Sequence, residues 1–504
     1  MGIVFRQSAK NAIIVLAGAF LGALILWLQA QYIPNKHQLG FTQDLIVYTV
    51  TFSQLLLVGL NTTLAVYIHR LSDKEEKRKL LITLCVAIPV ILTGIGTVFY
   101  FLFSSGIINY FTEEDRPIIR QYFSLFPIFT LLFIFQLLME QYLASQMKVA
   151  VAAFTREIVL RLINIVLLIL FAYGHISFEI LVIGTVLMYL IPVSLLLILS
   201  VKTSAFGLNF NLRDFNRSEY LDMAKFSWYH LLLSVSIMFM GYMDLMLLPH
   251  YDKSGLGAVA VYRYAVFLIV ILQMPSKALT PASFTSLAQA YTNNEMNRTR
   301  DLFTRSSINI FIPTICMAIL IFCNLNNAVA IIRNNYSAMI PLFSILFIGS
   351  IINIATGMND QVLSIANYYK FNFYLALFLI TILYFLLRFM IPRYGIYGAA
   401  WSNTITLMLF NIIKYLFIKK KLGMVPFTSK TLLVIVAGIP ALAAGYFFPY
   451  LFEPARHIYV HTFLDVIMRS TVIIIVYLLM LLWLKPSDDL VEYIASIKKN
   501  KRLY

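Results

Sequence analysis

Fourteen apolar runs partition the sequence, each close to the roughly 20 residues a helix needs to cross a bilayer core. They fall at 11–31, 45–69, 80–103, 121–146, 156–173, 178–200, 226–249, 258–284, 305–325, 338–359, 372–391, 396–418, 430–448 and 466–484. Each is continuous, without the alternation that a membrane barrel strand requires. Lipid offers a backbone amide no partner, so a continuous apolar run has to satisfy its own hydrogen bonds as a helix. The expected fold class is therefore an all-α integral membrane protein. Composition agrees: 60% of residues are hydrophobic and 12% charged, where a soluble domain carries about a quarter charged residues. Soluble enzymes, fibrous chains and disordered tails are excluded. Cys85, Cys316 and Cys323 all lie inside apolar runs, which rules out a disulfide framework.

The chain holds 39 Lys and Arg against 23 Asp and Glu, a net charge of +16. A basic balance can signal nucleic acid, so the placement of the charge decides its meaning. With the N-terminus in the cytoplasm, the basic clusters fall on the inner side: 70–79, Lys419 to Lys421, and the tail from Lys498 to Arg502. The outer segments hold only Lys36, Arg116, Arg120, Lys253, Arg333, Arg393 and Arg456. That asymmetry is the positive-inside pattern, so both termini are expected in the cytoplasm and nucleic acid is not needed as a partner. The first run follows Arg6 and Lys10 as a secretory signal would. No small-x-small cleavage site comes after it, and Gln29, Gln31 and Pro34 end it, so it is expected to remain as a span. Fourteen spans leave connectors of about 15 residues each, too short for a folded soluble domain. Catalysis on a separate domain is excluded, and no enzyme activity is expected.

Two pairs of short motifs recur at nearly one offset. Glu140-Gln-Tyr-Leu-Ala144 ends the fourth run and Asp360-Gln-Val-Leu-Ser364 follows the tenth; Tyr173-Gly174 and Tyr394-Gly395 sit between runs five and six and between eleven and twelve. Six spans separate the members of each pair, which predicts two parallel six-span halves, 1–215 and 216–425, with two further spans and a tail at 426–504. Parallel six-span halves are a common transporter build, with the substrate path between them.

The stretch 244–291 reads Asp-Leu-Met-Leu-Leu, then Gly-Ala-Val-Ala-Val-Tyr-Arg-Tyr-Ala, then Ala-Leu-Thr-Pro-Ala. Together with 391–401 (Ile-Pro-Arg-Tyr-Gly-Ile-Tyr-Gly-Ala-Ala-Trp) and 59–70 (Gly-Leu-Asn-Thr-Thr-Leu-Ala-Val-Tyr-Ile-His-Arg), it resembles the polysaccharide flippases of the multidrug/oligosaccharidyl-lipid/polysaccharide exporter superfamily. One departure is Ala260, which stands where that family's span-eight entry carries Gly. The resemblance implies two six-helix bundles in a V plus two extra C-terminal helices. It also implies a cavity opening alternately to each side of a bacterial inner membrane, and a monomer without cofactors. The implied cargo is an undecaprenyl-diphosphate-linked oligosaccharide, flipped to the periplasmic leaflet for O-antigen or capsule-like polysaccharide, with glycan polymerase machinery as a further partner. A multidrug or metabolite exporter of the same fold is the alternative, and a membrane-embedded glycan-assembly enzyme a more distant one.

A diphosphate and its sugars would be left unpaired in hydrocarbon, so such a carrier needs a polar, cationic cavity. The candidate cavity cations are Lys277, Arg263, Arg161 and Arg388. Lys277 lies between Pro275 and Pro281, well inside span eight. Arg161 could instead pair with Glu157 one helical turn earlier, and Arg388 could snorkel to the outer boundary, as Lys414 and Arg469 are expected to do. Arg263 and Asp244 could pair two neighbouring helices, contact glycan or form an outer gate. Glu140 and Asp360, equivalent in the repeat, are candidates for gating or ion coupling, or are solvated helix ends.

Other chemistries lack their motifs. There is no Gly-x4-Gly-Lys-Ser/Thr phosphate loop, no His-Glu-x-x-His and no Cys-x-x-Cys, so neither ATP hydrolysis nor a metal site is expected. The acidic run Glu113-Glu114-Asp115 reads as a solvated outer turn.

Overall fold

A computed structural model describes residues 2–71, 74–146, 148–203, 206–332, 336–366, 368–449, 458–487 and 489. Every described secondary-structure element is a helix, and each of the fourteen apolar runs has a helical counterpart. Among the described residues nine helices are long and apolar enough to cross a membrane, or eleven when two bent pairs are each taken as one span. The count understates the spans for local reasons. Spans eleven and twelve form one helical stretch, Tyr369–Leu422, interrupted at Gly395 (φ 57°, ψ −137°). Span five is divided into Val149–Phe154, a π-helical turn Thr155–Val159, and Leu160–Ala172. The chain is a multi-pass membrane protein.

The helices group into two compact units, Met1–Ala260 and Val261–Tyr504. In the first, span two breaks: Lys36–Leu56 and Leu60–Arg70 meet at 47°. The break is written as Val58-Gly59, both with positive φ (49° and 74°). A side chain at Gly59 would run into the Ser227 carbonyl of span seven, so this position needs glycine for its backbone angle and for the close approach. The contact is closed by Thr63 Oγ1 and Ser227 Oγ at 2.5 Å. Span seven, Arg217–Tyr251, starts on a capping box formed by Asn216 and Glu219. One buried apolar cluster joins Leu64, Leu81, Leu138 and Tyr142 of spans two to four; a second joins Phe41, Phe129, Val182 and Leu256.

In the second unit the last two spans, Ser429–Tyr446 and Ile458–Leu484, pack on span nine, Met296–Ala330, through a cluster that includes Ile308, Ile319, Ala437 and Ile473. Polar pairs accompany the apolar contact along span nine. Asn309 Nδ2 donates to Asp489 at 2.5 Å, the Tyr477 hydroxyl to the Ile312 carbonyl at 2.9 Å, and Asn327 Nδ2 to Asp465 at 2.6 Å.

The Glu140 and Asp360 motifs make the same backbone hydrogen bonds. After Glu140, Lys148 N–H donates to the Leu143 carbonyl (2.9 Å) and Gln146 N–H to Tyr142 (3.2 Å); after Asp360, Tyr368 N–H donates to Leu363 (2.8 Å) and Ala366 N–H to Val362 (2.9 Å). Gly174 and Gly395 both take left-handed φ, 73° and 57°. The Glu140 and Asp360 motifs therefore encode equivalent turns, one in each unit, whereas Gly174 follows a helix end and Gly395 kinks a continuous helical stretch.

Candidate functional site

The first unit holds a charge network where spans four and five meet. Glu140, on Leu125–Ser145, is buried (6% exposed). Its carboxylate accepts from Gln136 Nε2 one turn earlier (2.8 Å) and from Arg156 on the π-turn (2.8 Å). Arg156 also reaches Glu157 (3.1 Å), and Glu157 takes Arg161 at 2.6 Å. Arg161 further donates to the carbonyl of Gly18 in span one. A regular α-helix sets successive side chains about 100° apart; the wider π-turn lets the adjacent Arg156 and Glu157 both join the network. The sequence motif Arg-Glu-x-x-x-Arg contains the Glu157–Arg161 pair, but nothing in it points to Glu140 or Gly18. Glu140 is not a solvated helix end.

In the second unit Asp360 opens the short helix Asn359–Ile365. Both its carboxylate oxygens accept from Lys414 Nζ, at 3.0 and 3.1 Å, and Asn372 Nδ2 adds a third bond at 3.0 Å. Lys414 is 1% exposed and its ammonium lies 3.7 Å from the Phe410 ring centroid. The expectation that Lys414 snorkels to a boundary is thus corrected: it is buried and paired. So is Arg469 (2% exposed), held by Asp465 one turn before it at 3.0 Å and donating to the carbonyls of Gly445 (2.7 Å) and Phe448 (3.1 Å). Arg469 therefore serves the unsatisfied C-terminal carbonyls of span thirteen, where a cation also suits the helix dipole.

The remaining candidates lie on other spans. Asp244 is buried in span seven and accepts from the Leu245 N–H at 2.8 Å. Arg263 is half-buried in span eight, in the other unit. Arg388 is exposed on span eleven, and all three engage other groups. Lys277 differs. It is exposed on Met274–Thr292, the second part of span eight, and makes no ion pair among the described residues.

Sequence reasoning missed four buried acids among the described residues, one of them Asp252 just after span seven. Asp44 and Asp465 each stand one residue before an expected run, at 45 and at 466, yet the helices extend back to Lys36 and Ile458 and bury both. The spacing of Asp465 and Arg469 was the available signal. The solvated reading of 113–115 holds for Glu113 and Glu114, which are exposed, but fails at Asp115 (0% exposed). Its carboxylate accepts from Thr112 Oγ1 (2.6 Å) and from Leu256 N–H at the start of span eight (2.8 Å), and His37 Nδ1 lies 2.7 Å away. This acid acts as an N-cap supplied by another part of the chain. Among the described residues no group of three His, Cys, Asp or Glu is arranged to hold a metal.

No protein-family model matches the sequence, and no curated protein matches it. Solved structures do match in three dimensions. A structure of the lipid II flippase MurJ in an inward closed conformation superposes with a TM-score of 0.76 at 14% identity, covering 95% of this chain and 99% of that one. The chain has the fold of the MOP-superfamily transporters. An inward-facing multidrug resistance MATE transporter of that superfamily gives 0.66 at 14% identity, over 82% of this chain and 98% of its own. The multidrug transporter DinF-BH, in complex with R6G, gives 0.56 at 17%, over 83% and 95%. At such identities the likeness is one of fold. The MurJ structure covers more of the chain than these MATE structures do, and the spans beyond the twelfth account for a segment of about that size.

Proposed function

We propose that this chain is an alternating-access flippase that carries undecaprenyl-diphosphate-linked oligosaccharide from the cytoplasmic to the periplasmic leaflet of a bacterial inner membrane, for surface polysaccharide assembly. In this reading the halves 1–215 and 216–425 rock against each other, 426–504 is an addition, and both termini are cytoplasmic. The observation that carries the reading is Lys277: a lysine of span eight, four residues before the apolar stretch ends at Pro281, exposed, and unpaired with any acid among the described residues. An ammonium on a span facing lipid is expensive, whereas in a hydrated cavity it attracts phosphate. The pairs Glu140–Arg156 and Asp360–Lys414, each with one buried and one half-exposed member, are candidates for gating or ion coupling, since each links two helices of one unit. Arg161, held by Glu157 and Gly18, suits positioning better than cargo contact, while Arg263 and Arg388 remain cavity candidates.

The test is reconstitution. Proteoliposomes containing the chain and a fluorescent polyprenyl-diphosphate oligosaccharide should move label to the opposite leaflet with no bond made or broken. Failure with the lipid-linked glycan but transport of free cationic drugs would favour the exporter reading, which the MATE resemblance supports.

A further inference from the structure

Spans six and seven are joined by a connector whose polar and apolar sides are reversed from those of an ordinary surface loop. Span six ends at Val201 and span seven begins at Arg217; between them 206–211 has no regular secondary structure. On the side facing the protein, Asn209 is bound three ways: its N–H to Thr83 Oγ1 (2.9 Å), its Nδ2 to the Glu76 carbonyl (3.2 Å) and to Asp214 (2.5 Å). Gly207 lies against the Lys79 stem, the Phe206 ring packs edge-on against Tyr142, and Tyr220 donates to the Leu212 carbonyl. On the outward side stand Leu208, Phe210 and Leu212, exposed by 53%, 75% and 61%. The polar side chains fasten the strap while its large apolar ones are presented.

We propose that this strap is an interfacial membrane anchor: Leu208, Phe210 and Leu212 insert among the acyl chains of the adjoining leaflet, and the flanking cations hold acidic phospholipid headgroups. The strap connects the ends of two spans, which places it at headgroup depth. The charge beside it suits an anionic surface. Lys202, Arg213 and Arg217 are exposed; of the nearby acids Asp214 is held by Asn209 and Asn211 and Glu219 by Lys77, while Asp222 is exposed. The anchor is independent of what the chain carries.

The experiment places a nitroxide on cysteine at Leu208, Phe210 or Leu212, with Cys85, Cys316 and Cys323 changed to Ala, in nanodiscs of phosphatidylglycerol or phosphatidylcholine. At all three positions oxygen should relax the label more strongly than a water-soluble nickel chelate. The triple variant K202Q/R213Q/R217Q should lose its retention of phosphatidylglycerol during detergent extraction. If the cysteine-free chain does not fold, Phe210→Trp in the native background should add emission that brominated lipid quenches. Dominant nickel relaxation at Phe210, or added tryptophan emission that the brominated lipid leaves unquenched, overturns the proposal. Phosphatidylglycerol retention unchanged in the triple variant overturns its acidic-lipid part.

Discussion

The carboxylate of Asp360 reaches 54 residues along the chain to grip the ammonium of Lys414, which is almost wholly out of solvent while Asp360 itself is half-exposed. The two have unequal stakes. Asp360 can find water if the pair parts; Lys414 has only this acid, the Phe410 ring and the protein interior. Removing the acid should therefore cost more than removing the pair. Breaking a buried pair from one side typically costs about 3–5 kcal/mol. Asp360→Asn should lower the thermal unfolding midpoint in detergent clearly, and the double variant D360N/K414M should recover much of the loss. Equal loss in the single and double variants would show that the pair is not the source of the stability.

Glu140→Gln keeps the shape of the span-four side chain but removes the charge that faces Arg156. Glu157 remains to hold Arg156, so the stability loss should be smaller, about 1–3 kcal/mol. If the two acids at equivalent repeat positions control opening, E140Q combined with D360N should slow transport beyond what reduced protein amount explains. Normal transport per folded molecule in the double variant would leave both as structural pairs.

Lys277→Ala should reduce glycan translocation while membrane insertion and thermal stability stay near those of the parent, because no ion pair is lost with it. Lys277→Arg should retain more transport than Lys277→Ala. The readout is leaflet exchange of labelled lipid-linked glycan, normalised to protein; unchanged exchange in K277A would remove Lys277 from the cargo path.

Gly59→Ala should destabilise the first unit. A methyl there meets the Ser227 carbonyl and Leu231 backbone of span seven, and the left-handed φ adds strain. The overpacking alone is worth about 1–3 kcal/mol. The yield of folded protein in gentle detergent would register it, and Gly94→Ala, where nothing lies near, is the control.

The spans were legible because hydrocarbon thickness is a length that residues can be counted against, although several helices extend eight or nine residues beyond their runs. The left-handed angles at Gly174 and Gly395 were legible too, since a glycine repeated at the same place reports a backbone angle. The buried charges were only partly so. Glu157 and Arg161 pair within one helix, so their spacing shows it, whereas Asp115 caps a helix 141 residues away and Arg156 serves an acid on another span. Arg469 looked like a boundary residue because its principal partners include two backbone carbonyls, which every residue carries and no sequence pattern distinguishes. Asp44 and Asp465 each precede an apolar run, and an apolar run does not report how far its helix extends into polar sequence.

The polar pairs along span nine also bear on how the molecule is made. Asn327 is released from the ribosome 138 residues before Asp465, and Asn309 180 residues before Asp489. Until the final hairpin is synthesised, those amides have no acid to bind, and a nascent span nine must wait in the translocation machinery or hide against an earlier helix. Assembly of the C-terminal unit is thus a late event, completed only when the last helix arrives, and a chain truncated before it should be cleared by quality control rather than persist as a smaller carrier.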